Sequence, residues 1–201
     1  MSGKAWKQHE RNVAKYFNTK RRSRGADFGE TDVEVIASVS EWLGWEDTNT
    51  HIIAECKYSK YLGIVSTFRN LETSTKSLSK DKIVILRLEG NRLVERPLFL
   101  CNLDNFDSIF IDFIYHQGAY NSLLDVSKDY SIISKSMSIP KYLHEFLDQS
   151  RGYALHAEAK SDKNSPTIAF PVAVLAKANT VGRVLVFSSY DVEHLWSNLG
   201  I

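Results

Sequence analysis

The sequence has only two cysteines, Cys56 and Cys101. That is too few for a disulfide framework and fits a reducing, intracellular setting, so a cytoplasmic location is expected. No apolar run approaches the length of a membrane-spanning helix, and the N-terminal stretch lacks the apolar core of a signal peptide, so no membrane partner is expected. Charge of one sign is missing too. The formal net charge is +1, which selects neither nucleic acid nor any other charged partner on bulk grounds. The six histidines (His9, His51, His116, His144, His156 and His194) are scattered and show no zinc-like spacing.

The composition itself is that of an ordinary globular protein, 43% apolar and 24% charged over 201 residues. That is enough for one well-cored domain, or one domain carrying a large insertion. The charge is uneven along the chain. Residues 1–25 hold eight Lys or Arg (Lys4, Lys7, Arg11, Lys15, Lys20, Arg21, Arg22 and Arg24) against one acid, Glu10. Such a local basic arm suits a phosphate backbone, and equally a solvated N-terminus.

Periodicity predicts a helix over 4–19, with Trp6, Val13, Ala14 and Phe17 on one stripe and Glu10 on or beside it. A Gly-containing basic loop (Arg21, Arg22, Ser23, Arg24, Gly25, Gly29) leads to an alternating strand opened by Asp32. Residues 38–50, with Trp42, Gly44 and Trp45, connect it to a strand over 51–57. A helix is expected over 64–79, with Val65, Phe68, Leu71 and Leu78 on its apolar face. Strands are expected at 82–88 and 98–103. An Asp104-capped helix then runs to about residue 116, with Phe106, Ile109, Phe110 and Phe113 inward. Residues 120–137 read as a loosely structured connector. A helix from Pro140 to about Lys160, strands at 167–175 and 183–188, and a short helix opened by Asp191 complete the chain. Residues 82–110 and 168–195 share a layout of strand, turn, strand and Asp-headed helix. It reads either as a degenerate repeat or, more simply, as two hairpins ending alike.

The chemistry concentrates in Ile52-Ile53-Ala54-Glu55-Cys56-Lys57. Residues two apart on a strand point the same way, so Glu55 and Lys57 share one face while Ala54 and Cys56 pack on the other. A carboxylate and an ammonium on an apolar strand are costly unless each other, or a ligand, engages them. Carboxylates gathered at strand ends form a hard oxygen site suited to Mg²⁺ or Mn²⁺. An acid-x-Lys triplet alone is weak, since roughly one arises by chance in 200 residues of ordinary composition. A second copy, Glu158-Ala159-Lys160, falls at a helix end, where residues two apart diverge. Cys56 reads as a small core residue rather than a nucleophile, and Trp42 and Trp45 as packing.

The order Gly3-Lys4-x-Trp6-Lys7-x-x-Glu10-Arg11-x-Val13-Ala14, then Gly25 and Gly29, then Asp32-Val33, then Ile53-Ala54-Glu55-Cys56-Lys57-Tyr58 resembles the PD-(D/E)XK nuclease superfamily. It is most similar to the archaeal Holliday-junction resolvase-like branch and related nucleases of phages and archaeal viruses. Phe170–Leu175 and Gly182–Phe187, with Asp191 beyond them, resemble that family's last two core strands. The resemblance implies an α/β fold with a restriction-endonuclease-like αβββαβ core, a mixed central sheet flanked by helices. Residues 1–60 and 138–201 would form the core and 61–137 a large insertion. It implies a Mg²⁺- or Mn²⁺-dependent DNA endonuclease, a homodimer acting on DNA, branched DNA included, and a virus-encoded or archaeal source. Asp32 and Glu55 would be metal ligands, Glu10 the helix glutamate assisting the metal, and Lys57 the catalytic lysine. Lys4, Lys7, Arg11, Arg21, Arg22, Ser23 and Arg24 would meet phosphates. Gln149 and Tyr153 would match a second-helix Gln-x-x-x-Tyr pair of exonuclease-like members. The chain departs from the pattern at Thr31, where proline is usual, and over 61–137, which a minimal core lacks. Two other readings stay open: a restriction- or repair-type nuclease on duplex or single-stranded DNA, and a catalytically silent DNA-binding or assembly protein.

Overall fold

In a computed structural model, the described residues are 3–21, 33–35, 49–78, 80–90, 96–115 and 129–199. Within them a mixed seven-stranded sheet is covered by helices on both faces. The elements are α1 (Gly3–Tyr16), β1 (Val33–Val35), β2 (Asn49–Ser59), α2 (Gly63–Leu78), β3 (Ile83–Glu89) and β4 (Leu98–Asn102). After a 3₁₀ turn (Leu103–Asn105) come α3 (Phe106–Tyr115), β5 (Tyr130–Ser136), α4 (Lys141–Ala159), β6 (Thr167–Lys177), β7 (Val184–Ser188) and α5 (Ser189–Leu199). No described helix is long and apolar enough to cross a membrane.

The strand order is β1-β2-β6-β7-β4-β3-β5. β2 runs parallel to β6 over their whole length, from Asn49 opposite Thr167 to Ser59 opposite Lys177. β3 and β5 are also parallel, and the other pairings are antiparallel. Strands buried on both faces read as continuous apolar runs, which is why Phe170–Ala176 shows no alternation. Pro171 cannot donate to a ladder, and it lies two residues before the β6–β7 ladder begins at Ala173.

The two-residue period sorts the core into layers. Ile52, Ala54 and Cys56 of β2 join Phe170, Val172 and Val174 of β6 and Phe187 of β7 against Val13 and Ala14 of α1 and Phe17 just after it. Phe106 and Phe110 of α3 and Val192 and Leu195 of α5 close the same cluster. Ala173, Leu175, Val184 and Val186 face the other way, onto Ile64, Val65 and Phe68 of α2 and Leu143 and Leu147 of α4. Among the described residues, three helices therefore cover one face and two cover the other.

The similar layouts of 82–110 and 168–195 resolve into two hairpins, β3–β4 and β6–β7. Each is followed by a helix on the same face, and β4 and β7 pair back to back. Their register, Phe99 opposite Phe187 and Leu100 opposite Val186, centres on the middle of both strands. The rings of Phe99 and Phe187 stack there at 5.4 Å.

Three local expectations change. Residues 130–136 form β5 rather than a connector; only Tyr130 in it is buried, and Ile132 and Ile133, partly buried on this edge strand, are flanked by serines and a lysine that blur the apolar signal. The turn leading into α3 is capped by Asn102, whose Oδ1 accepts from the Asp104 N–H at 3.1 Å, so Asp104 is not the cap. On α2, Leu78 is exposed, and Glu72 is buried instead, bound by Arg69 and Lys76. The side chain of Phe113 and the connector containing Trp42, Gly44 and Trp45 lie outside the described residues.

Candidate active site

β2 brings Glu55 and Lys57 together as its period requires. Ile53, on their side of the strand, packs with Ala154 of α4 and Ala169 of β6. Lys57 Nζ lies 2.5 Å from Glu55 Oε1 and 5.2 Å from the centre of the Phe146 ring on α4. The ammonium thus sits between a carboxylate and an aromatic face, both of which favour its charge. The Glu55 side chain is 9% exposed and that of Lys57 26%, so the pair opens toward solvent at the lysine end.

α1 covers the opposite face of the sheet. Its inward stripe is His9, Glu10, Val13 and Ala14, so the helix does bury an acid. Glu10 forms an ion pair with Arg21, whose guanidinium also lies 5.4 Å from the Trp6 ring centre. Arg21, expected to meet phosphates, is therefore turned inward as the counter-ion of Glu10. His9 donates from Nε2 to the carbonyl of Val174 at 3.0 Å, which leaves Nδ1 as a buried nitrogen with no hydrogen-bond partner. Burial holds the His9 pKa down at about 4, against the pull of that hydrogen bond, and the charge of Arg183 lowers it further.

Asp32 and the loop residues Arg22, Ser23 and Arg24 lie outside the described residues. β1 starts at Val33, which pairs with Ala54, the neighbour of Glu55. Among the described residues no group of three or more His, Cys, Asp or Glu side chains could hold a metal ion.

The exposed face of α1 carries Lys4, Lys7, Arg11 and Lys15. Among the described residues none of the four makes an ion pair, although Lys7 lies 5.5 Å from the Trp6 ring centre. On α4, Gln149 is exposed while Tyr153 packs beside Ile53. Between them lies a residue that the sequence pattern does not single out. Ser150, fully buried, donates from Oγ to the Ile53 carbonyl at 2.7 Å and ties α4 to the strand bearing Glu55. Its only sequence signal is a serine inside an apolar stripe. The second acid-x-Lys triplet is structural: Glu158 Oε1 accepts from the Ala169 N–H at 2.9 Å, holding the start of β6.

No protein-family model, curated protein or solved structure matches this chain.

Proposed function

We propose that the protein is a metal-dependent DNA endonuclease with a restriction-endonuclease-like core, in which residues 61–137 extend the central sheet. The observation that carries this reading is the Glu55–Lys57 pair. It is half-buried, side by side on one face of a strand, and that strand pairs with the one that directly follows Asp32. Carboxylate oxygens are the hard donors that Mg²⁺ or Mn²⁺ takes, so Asp32 and Glu55 are the residues that would hold the ion. When bound, the ion would activate a water and neutralise charge at the scissile phosphate. Lys57 holds its ammonium where it can orient that water or meet the phosphate, with Phe146 and Glu55 limiting its freedom. The cations on the outer face of α1 supply contacts to flanking phosphates. A homodimer would place two such sites on one symmetric particle, as cutting a four-way junction or both strands of a duplex requires.

The test is incubation with radiolabelled four-way junction, duplex and single strand, in Mg²⁺ or in EDTA. Cleavage that needs Mg²⁺ and disappears in Asp32→Ala and Lys57→Ala is expected. Paired symmetric incisions in the junction alone would select the resolvase reading over a restriction- or repair-type nuclease. Cleavage that survives both substitutions would overturn the site.

A second reading, a nucleic-acid-binding protein without catalysis, is favoured by one observation. Both described carboxylates already have cationic partners, Glu10 with Arg21 and Glu55 with Lys57. Retained binding with no cleavage of any substrate selects it.

A further inference from the structure

On the α1 side of the sheet, away from Glu55 and Lys57, a cleft of about 360 Å³ is lined by Asn12, Lys15, Tyr16, Leu103, Asp104 and Arg183. The chain delivers Arg183 to it through a constrained turn. Asn179 and Gly182 both have positive φ, 62° and 85°. A Cβ on Gly182 would fall 1.8 Å from an Nη of Arg69. The main chain of Arg183 is then pinned, because its carbonyl accepts from the Leu103 N–H at 3.1 Å and from Arg69 Nη2 at 3.4 Å.

The side chain of Arg183 keeps a donor unmet. Its Nε is buried and no acceptor meets it. Among the described residues no carboxylate forms an ion pair with the guanidinium, although Asp104 lines the same cleft. Buried donors are nearly always satisfied, and a guanidinium that lines a cleft with no carboxylate paired to it is shaped for a planar or tetrahedral oxyanion. Lys15 stands in the same cleft as a second cation, with no ion-pair partner among the described residues, and the Asn12 side chain can add an amide donor. The Tyr16 hydroxyl is already committed to Asp107 at 2.9 Å, so it does not compete for the ligand.

We propose that this cleft is an anion site for a phosphate group, with Arg183 as its anchor and Lys15 as its second cation. Lys15 is also the last residue of the exposed stripe Lys4, Lys7, Arg11 and Lys15, so the cleft continues a track of cations along α1. That continuity makes the bearer of the phosphate a nucleic-acid backbone. The phosphate site stands on its own geometry, whereas the choice of bearer rests on the proposed function.

The test uses the full chain in EDTA, so that it is independent of cleavage. The Arg183 Nε–Hε signal is assigned by its loss in Arg183→Lys and followed by ¹⁵N NMR during titration with inorganic phosphate and, separately, with a short duplex oligonucleotide. A saturable shift with both is expected, together with about tenfold weaker oligonucleotide binding in Arg183→Gln. A shift with phosphate alone would keep the site and overturn the nucleic-acid bearer. No shift with either would overturn the proposal. Loss of Mg²⁺-dependent cleavage, by contrast, bears on Glu55 and Lys57 and leaves this result where it stands.

Discussion

Arg151 on α4 grips Asp191 at the start of α5 with two hydrogen bonds, Nε to Oδ1 and Nη2 to Oδ2, each 2.8 Å long. The two helices lie on opposite faces of the sheet, so this pair ties the outer layers together around the ends of β6 and β7. Asp191 is buried. Burial pushes its carboxyl above the ordinary carboxylate value, and the guanidinium recovers only part of that.

Removing the cation should therefore expose the cost of the buried acid. Arg151→Ala is expected to lose about 3 kcal/mol at pH 7, because it strands a buried charge. A carboxyl with a raised folded pKa binds its proton more readily in the native state than in the unfolded one. The penalty therefore shrinks as pH falls from 7 toward 5. Adding Asp191→Asn should restore part of the loss. Urea unfolding of the two single variants and the double variant at both pH values checks all three expectations.

His9 gives the opposite sign. Its folded pKa of about 4 lies below the ordinary 6.5, so the native state disfavours the protonated ring. The stability this confers is complete above pH 6.5 and is lost as pH falls toward 4, by about 3 kcal/mol across the window. His9→Gln keeps a donor for the Val174 carbonyl and does not titrate. Its urea midpoint should therefore stay flatter than that of the wild type between pH 6.5 and 4.5. Parallel curves for the two proteins would show that His9 is not the group responsible.

The aromatic packing on the α1 side centres on Phe170, whose ring lies 5.0 Å from that of Phe110 and 6.2 Å from that of Phe187. Phe170→Ala is expected to cost about 3–5 kcal/mol, from lost burial and the cavity left behind. Thermal unfolding monitored by circular dichroism measures it.

Nucleic-acid binding through the α1 stripe should depend on salt. Lys4→Gln, Lys7→Gln and Arg11→Gln, introduced singly, should each weaken oligonucleotide binding similarly for different sequences. Each should also reduce the slope of log K against log salt by about 1. Fluorescence anisotropy at several salt concentrations reads both quantities. An unchanged slope in all three variants would remove this face from the interface.

The helices and most strands are legible in the sequence because their periods are strong. Val13, Ala14 and Phe17 recur at helical spacing, and Ile83–Leu88 is an apolar run bounded by turn residues. β5 is not legible, since Ile132 and Ile133 on this edge strand are flanked by serines and a lysine that blur the apolar signal. At the candidate site, the two-residue period is enough to put Glu55 beside Lys57 and opposite Ala54 and Cys56. It cannot say which face α1 covers. That depends on long-range packing, and the packing sets Glu10 with Arg21 on the side that Ala54 faces. The hydrogen bonds of Ser150 to Ile53 and of Glu158 to Ala169 join distant segments, so no local pattern announces them.

The pairing of β2 with β6 also sets when the centre of the molecule can form. Asn49 and Thr167, opposite each other in the sheet, are 118 positions apart in the chain. At about 5–20 residues per second, a ribosome needs roughly 6–24 s to make that interval. Throughout it, the strand bearing Glu55 and Lys57 has no β6 to pair with along its inner edge. The candidate site therefore comes together only once β6 has been made, and variants that slow the closure of β6 onto β2 should leave that edge open to pairing with another chain for longer.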